Sequence, residues 1–194
     1  MVKTKIAVLV SGGGTNLQAL LDAQAAGRIP HGEIALVVSN RDGAYALERA
    51  KKAGVPAVAL SGADFEARLT AALERAQIDM IILAGFLKIL SADFTKKWPN
   101  RIINVHPALI PAFCGEGFYG LKVHEAALRY GVKVTGATVH FVNEVPDGGE
   151  IILQKAVDIH PGDTPETLQR RVMEEAEWIL LPQAAEIVAE RLQK

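Results

Sequence analysis

"KIAVLVSGGGTNLQALLDAQAAG", Lys5–Gly27, decides the fold. Lys5–Val10 is an apolar, partly β-branched run that stops at Ser11, as expected of a strand buried on both faces. Gly12–Gly14 follow directly, and then Leu17, Leu20 and Leu21 fall on one helical face before Gly27 ends the pattern. A strand, a glycine turn and a helix in immediate succession open a strand–helix–strand unit.

Outward from this stretch the alternation repeats. "EIALVVS" (Glu33–Ser39), "AVAL" (Ala57–Leu60), "DMIILA" (Asp79–Ala84) and "RIINVH" (Arg101–His106) read as further buried strands. "AYALERAKKAG", closed by Gly54, and "DFEARLTAALERAQ", opened by the N-cap candidate Asp64, read as the helices between them. This predicts an α/β, Rossmann-like, mostly parallel sheet with helices on both faces. After His106 the pattern changes. "VKVTGATVHFV" (Val132–Val142) and "EIILQKAVDI" (Glu150–Ile159), joined by "NEVPDGG", predict an antiparallel C-terminal extension. The final stretch predicts a long closing helix, with Thr164 as N-cap, Pro165 at N1, Glu166 in the first turn and a bend at Pro182. No linker, repeat or low-complexity segment interrupts the chain, so one domain is expected over residues 1–194.

Composition narrows the function. Lys and Arg number 21 against 22 Asp and Glu, with no basic run, so no nucleic-acid footprint is expected. The apolar run Ile6–Val10 is too short for a signal segment or a membrane span, which points to a cytoplasmic protein. A lone Cys114 and the absence of zinc-ligand spacing predict neither an internal disulfide nor a metal site.

The loop "SGGGTN" places free N–H groups and a helix N-terminus after a strand, which suits a phosphate. It fails as a dinucleotide fingerprint because Leu17 stands at the third glycine position, and Ser39, Asn40 and Arg41 stand where a ribose-gripping acid would close the second strand. The Walker lysine is missing as well. A monophosphate or similar anion fits better than NAD or ATP. At the other end, "INVHPALIP" sets Asn104 and His106 two residues apart on an extended segment, hence on one face, before Pro107 stiffens the chain. A histidine on a buried strand is ordinarily a satisfied core residue. Here, however, Gly12–Asn16, Gly85–Phe86 and Asn104–His106 all fall at carboxyl ends of strands, which places them on one rim. Asp147, between Pro146 and two glycines, offers a carboxylate that would raise the pKa of the imidazole and favour its protonated form.

In order and spacing, "SGGGTNLQAL", "LAGFLKILS", "INVHPALIP", "TGATVHFV" and "PDGGEIILQ" resemble the motifs of the phosphoribosylglycinamide formyltransferase family, from about Lys5 to Pro182. The resemblance implies transfer of a formyl group from 10-formyltetrahydrofolate, a co-substrate, to the amine of glycinamide ribonucleotide in purine biosynthesis. It implies Asn104, His106 and Asp147 as the catalytic set, acting through an oxyanion that Asn104 and protonated His106 stabilise. It further implies ribonucleotide contacts from Gly14, Thr15, Asn16 and Glu177. Folate contacts are implied from Asn104 and from the backbone of Leu87, Lys88, Ile89 and Leu90. The partners implied are small molecules, with monomer and homodimer both open.

The chemistry needs no protein nucleophile, since the substrate amine attacks. The match frays after the third strand, where relatives carry a folate-contacting arginine ahead of an aromatic; "SGADFEARL" has none before Phe65, and Arg68 cannot be aligned to it. Gly115–Gly120 is expected to cover the substrates, His124 either to face the site or, the favoured reading, to cap the following helix, and His140 to be a buried structural residue. The alternatives are another formyltetrahydrofolate-using formyltransferase or deformylase, and a non-catalytic nucleotide-binding module. The former are expected to need further domains that this chain, closing after its last helix, does not offer. The latter predicts no special role for His106 or Asp147.

Overall fold

In the computed structural model, which describes residues 2–194, β1 (Thr4–Val10) sends its side chains alternately to two sides. Ile6, Val8 and Val10 join one buried cluster and Ala7 and Leu9 another, so the strand is apolar throughout because both faces are covered. The remaining strands are β2 (Gly32–Ser39), β3 (Ala57–Ala59), β4 (Met80–Leu83), β5 (Ile102–His106), β6 (Val134–Phe141) and β7 (Ile151–Asp158). They form one sheet in the order β3-β2-β1-β4-β5-β6-β7. The first five are parallel; β6 and β7 are antiparallel, as the hairpin spacing predicted. Every predicted strand is present, with ends shifted by a residue or two.

The helices are α1 (Thr15–Ala25), α2 (Tyr45–Lys52), α3 (Phe65–Arg75), α4 (Ala92–Thr95), α5 (Leu121–Tyr130), α6 (Pro165–Val172) and α7 (Trp178–Arg191). Leu17, Leu20 and Leu21 of α1 pack with Leu180, Leu181 and Val188 of α7 on the first face. Phe65, Leu69 and Leu73 of α3 cover the second. Asp64 precedes α3 but its side chain caps nothing, contrary to expectation. Thr164 does cap α6, in a reciprocal pair with Thr167, and Pro165 occupies N1.

The closing helix departs from its prediction in one respect. Its irregularity is a π-helical turn at Met173–Glu177, ahead of Pro182, which itself lies inside α7. Proline lacks the N–H for the helical ladder and its ring crowds the carbonyl four residues back, here that of Trp178. The wider turn ends next to that carbonyl, and so takes up the misfit before α7 proper begins.

Strand order reverses between β1 and β4, and the loops leaving their carboxyl ends meet there. The antiparallel β5–β6 pairing sets Asn104 opposite His140 and His106 opposite Thr138. The β6–β7 connection then carries Asp147 back over the same rim.

Candidate active site

A cavity of about 650 Å³ opens at this rim. Its lining includes Thr15 and Asn16 after β1, Leu87–Ile89 after β4, Asn104 and His106 on β5, and Asp147. The volume lies in the range of small-ligand sites.

At one end the glycine loop is held by its neighbours. Gly14, at φ +75°, is the N-cap of α1 and lies behind the lining, against α2. The N–H of Ala46 donates to the carbonyl of Gly12 at 3.1 Å, and Arg49 Nε donates to that of Gly13 at 2.8 Å. Arg49 also donates through Nη1 to Gln18 and stacks over Tyr45. A Cβ on Gly14 would lie 2.6 Å from that of Ala46, so only glycine allows this close approach. With both carbonyls engaged by α2, the N-terminus of α1 is left to meet an anion. Ser11 knits the rim together, donating to Asn40 and accepting from the N–H of Leu87.

Asn16 Nδ2 donates to Glu177 Oε2 at 2.7 Å, and Asn16 Oδ1 is buried without a partner. Glu177 closes the π-helical turn and is 6% exposed. Burial pushes its carboxyl pKa up to about 7, against the opposing pull of the Asn16 hydrogen bond. Leu87, Lys88 and Ile89 line the cavity, with Ile89 77% exposed at its mouth, whereas Leu90 turns into the core against α3. Arg68 lies elsewhere, donating to the carbonyl of Ser61 and lining a separate groove with Lys5 and Arg75.

At the other end, four polar side chains converge. His106 Nδ1 lies 3.4 Å from Asp147 Oδ2, and His106 Nε2 donates to the carbonyl of Phe113 at 2.8 Å. His140 Nε2 lies 3.3 Å from Asn104 Nδ2 and 3.5 Å from Asp147 Oδ1. The N–H of Gly115 donates to Asp147 Oδ2 at 2.9 Å. Asp147 takes up its position with φ +53°. Burial raises the Asp147 pKa, but the His140 hydrogen bond, the Gly115 N–H and the two imidazoles outweigh it and leave the carboxyl below its usual range.

His106 differs from expectation. Burial lowers its pKa more than Asp147 and the Phe113 carbonyl raise it, so the resting ring lies below the usual histidine value. Both nitrogens nevertheless face acceptors, which only an imidazolium satisfies fully. The ring is therefore poised between a dry site and a cation-seeking contact set.

Of two further histidines, one follows its expectation and the other takes the less favoured of two. His140 is buried and bonded, as expected, but it also joins the polar cluster; the signal was the register that pairs it with Asn104. His124 does not cap a helix. It sits inside α5, lines the cavity and is 0% exposed.

Residues 4–184 match the formyl transferase family. The chain belongs to that family. The phosphoribosylglycinamide formyltransferase of Haemophilus influenzae is 42% identical over 177 residues, covering 88% of this chain and 81% of that protein. The crystal structure of glycinamide ribonucleotide transformylase 1 from Symbiobacterium toebii superposes with a TM-score of 0.90 at 44% identity, covering 97% of this formyl transferase family member and 89% of that chain. The trifunctional purine biosynthetic protein adenosine-3 of Gallus gallus is 44% identical over 193 residues, but those span 18% of that longer protein. The family read from the five motifs is thus the one these matches give. Among the described residues no cluster of three or more His, Cys, Asp or Glu could hold a metal ion, and no helix is long and apolar enough to cross a membrane.

Proposed function

We propose that this chain transfers the formyl group of 10-formyltetrahydrofolate to the amine of glycinamide ribonucleotide. The observation that carries this reading is the convergence of Asn104, His106 and Asp147, backed by His140, on a cavity with a candidate anion seat at its far end. Family membership supports it, as do the relatives described above.

The ribonucleotide phosphate would meet the N-terminus of α1 at Thr15 and Asn16, with the ribose hydroxyls beside Glu177. The folate would lie along Leu87–Ile89, where an exposed backbone strip and two apolar side chains suit a flat ring with donor and acceptor edges. Asn104 has a second amide N–H beyond the contact with His140, available to the formyl oxygen as negative charge develops there. That charge also shifts His106 toward its protonated form, offsetting the burial that depresses its pKa. Asp147 steadies the imidazolium and holds a water that carries the amine proton to the departing nitrogen.

The test is an assay of purified protein with glycinamide ribonucleotide and 10-formyltetrahydrofolate. Wild-type turnover is expected, with kcat lower by about 10²–10³ in His106→Ala while KM values hold. In Asp147→Asn the alkaline limb of the kcat/KM profile, set by loss of the His106 proton, moves to lower pH, because the carboxylate is the largest influence raising the His106 pKa. Absence of wild-type turnover would refute the proposal.

A further inference from the structure

Neither ring nitrogen of His124 has a hydrogen-bond partner, although the side chain is wholly buried. A neutral imidazole carries one N–H and one lone pair, and a buried polar atom left unmet is costly. Among the described residues nothing meets this cost, yet the ring lines the cavity.

Its place in the fold says what could. His124 is the fourth residue of α5, which begins after Gly120 and packs on α6. From α6 and the π-helical turn come Gln169, Met173 and Glu177, the wall facing Asn16 at the anion-binding end. His106 lines the same cavity, and its charge when protonated helps lower the His124 pKa. His124 therefore lines the one chamber that holds both the ribose end and the reacting end, which an arm joining the two would cross. Its polar neighbours Asn104, His106, His140 and Asp147 are bonded to one another or to backbone, whereas His124 keeps both nitrogens free.

We infer that His124 is a further ribonucleotide-binding residue, whose imidazole lone pair accepts a hydrogen bond from the amine-bearing arm and turns the amine toward the formyl carbon. The inference rests on the proposed ribonucleotide reading of this cavity. Burial, reinforced by His106, holds the His124 pKa at about 4, so the ring is uncharged near neutral pH and offers an acceptor rather than a second cation beside His106. An N–H pointed at that acceptor leaves the lone pair of the amine free for attack.

Steady-state kinetics with each substrate varied, on wild type and on His124→Leu, His124→Gln and His124→Asn, test it. In His124→Leu the KM for glycinamide ribonucleotide should rise about tenfold while the KM for the folate stays put. Whichever amide variant sets its oxygen at the accepting nitrogen should recover most of the loss. An unchanged ribonucleotide KM, or an equal rise in both, overturns the inference. A second measurement needs no stable variant: ribonucleotide alone, added to wild type labelled with ¹⁵N at histidine, should shift the His124 ring resonances, assigned by their loss in His124→Gln. Resonances that stay fixed at saturation overturn it. Turnover with an unmoved KM removes His124 alone, whereas absent turnover removes the proposed function, and absent binding removes both.

Discussion

Two glycine-bearing segments meet at the cavity, and they are built in opposite ways. Gly12–Gly14 is braced from behind by Ala46 and Arg49, and Gly14 packs too closely for any side chain. At Gly115, Gly117 and Gly120 the φ angles are +88°, +86° and +54°, but a Cβ at any of them would touch nothing within 4 Å. The first segment uses glycine for both path and proximity; the second uses it for path alone. The contrast teaches how the site divides its work. The proposed anion seat is fixed by its surroundings, whereas the second segment is tied to His106 and Asp147 by two backbone contacts, Phe113 to His106 and Gly115 to Asp147.

The largest effect that can sharpen this contrast concerns how dry the braced end is. As pH falls from 6.5 toward 4, the unfolded chain protonates His124 while the folded chain resists, so the histidine lowers stability by about 3 kcal/mol. Glu177 acts oppositely. Its folded pKa of about 7 lets the native state bind a proton that the unfolded state takes up only near 4.5, so stability rises by a similar amount as pH falls across that window. Between them the two groups nearly cancel. Glu177→Gln should uncover the histidine alone, with denaturant unfolding at pH 4.5 weaker than at pH 7 by about 3 kcal/mol relative to the wild-type difference. A difference equal to that of wild type would mean that Glu177 is well hydrated.

Gly14→Ala comes next. It combines a left-handed backbone with a steric conflict, and should lose about 2 kcal/mol in urea unfolding while weakening the ribonucleotide KM. Wild-type stability would deny the bracing. Arg49→Ala should raise the ribonucleotide KM about fivefold, with kcat and the folate KM nearly constant, and Arg49→Lys should not restore it because one ammonium cannot reach both Gly13 and Gln18. An equal loss in kcat would place Arg49 in the chemistry instead. Gly117→Ala should be mildest, about 1 kcal/mol of stability from backbone strain without a clash. A larger loss would show that the cover is packed as tightly as the seat.

Much of this could be read from the chain because it is local. The run Ile6–Val10 announces a strand covered on both faces, and Gly12–Gly14 followed by Leu17 announces the turn into α1. Thr164 and Pro165 start α6 as their chemistry dictates. What could not be read there shares a different cause. The His106 pKa depends on how much water the fold removes, which no spacing encodes. His140 enters the cluster through antiparallel register, and His124 is buried by packing of α5 against α6. Asp64 has the chemistry of a cap, but its side chain takes no backbone N–H and instead lies 4.0 Å from Arg68. The break before α7 appears at Met173–Glu177 because a proline's misfit falls on the turn before it.

That wide turn carries a consequence for how the C-terminal arm can vary. Each residue of a helix advances it by about 100°. Deleting one residue between Met173 and Glu177 would give a more regular helix, yet it would swing Gln169 away from the side of the cavity that Glu177 serves, or the reverse. In this arm the smoother backbone is the one that would pull two walls of the cavity out of phase.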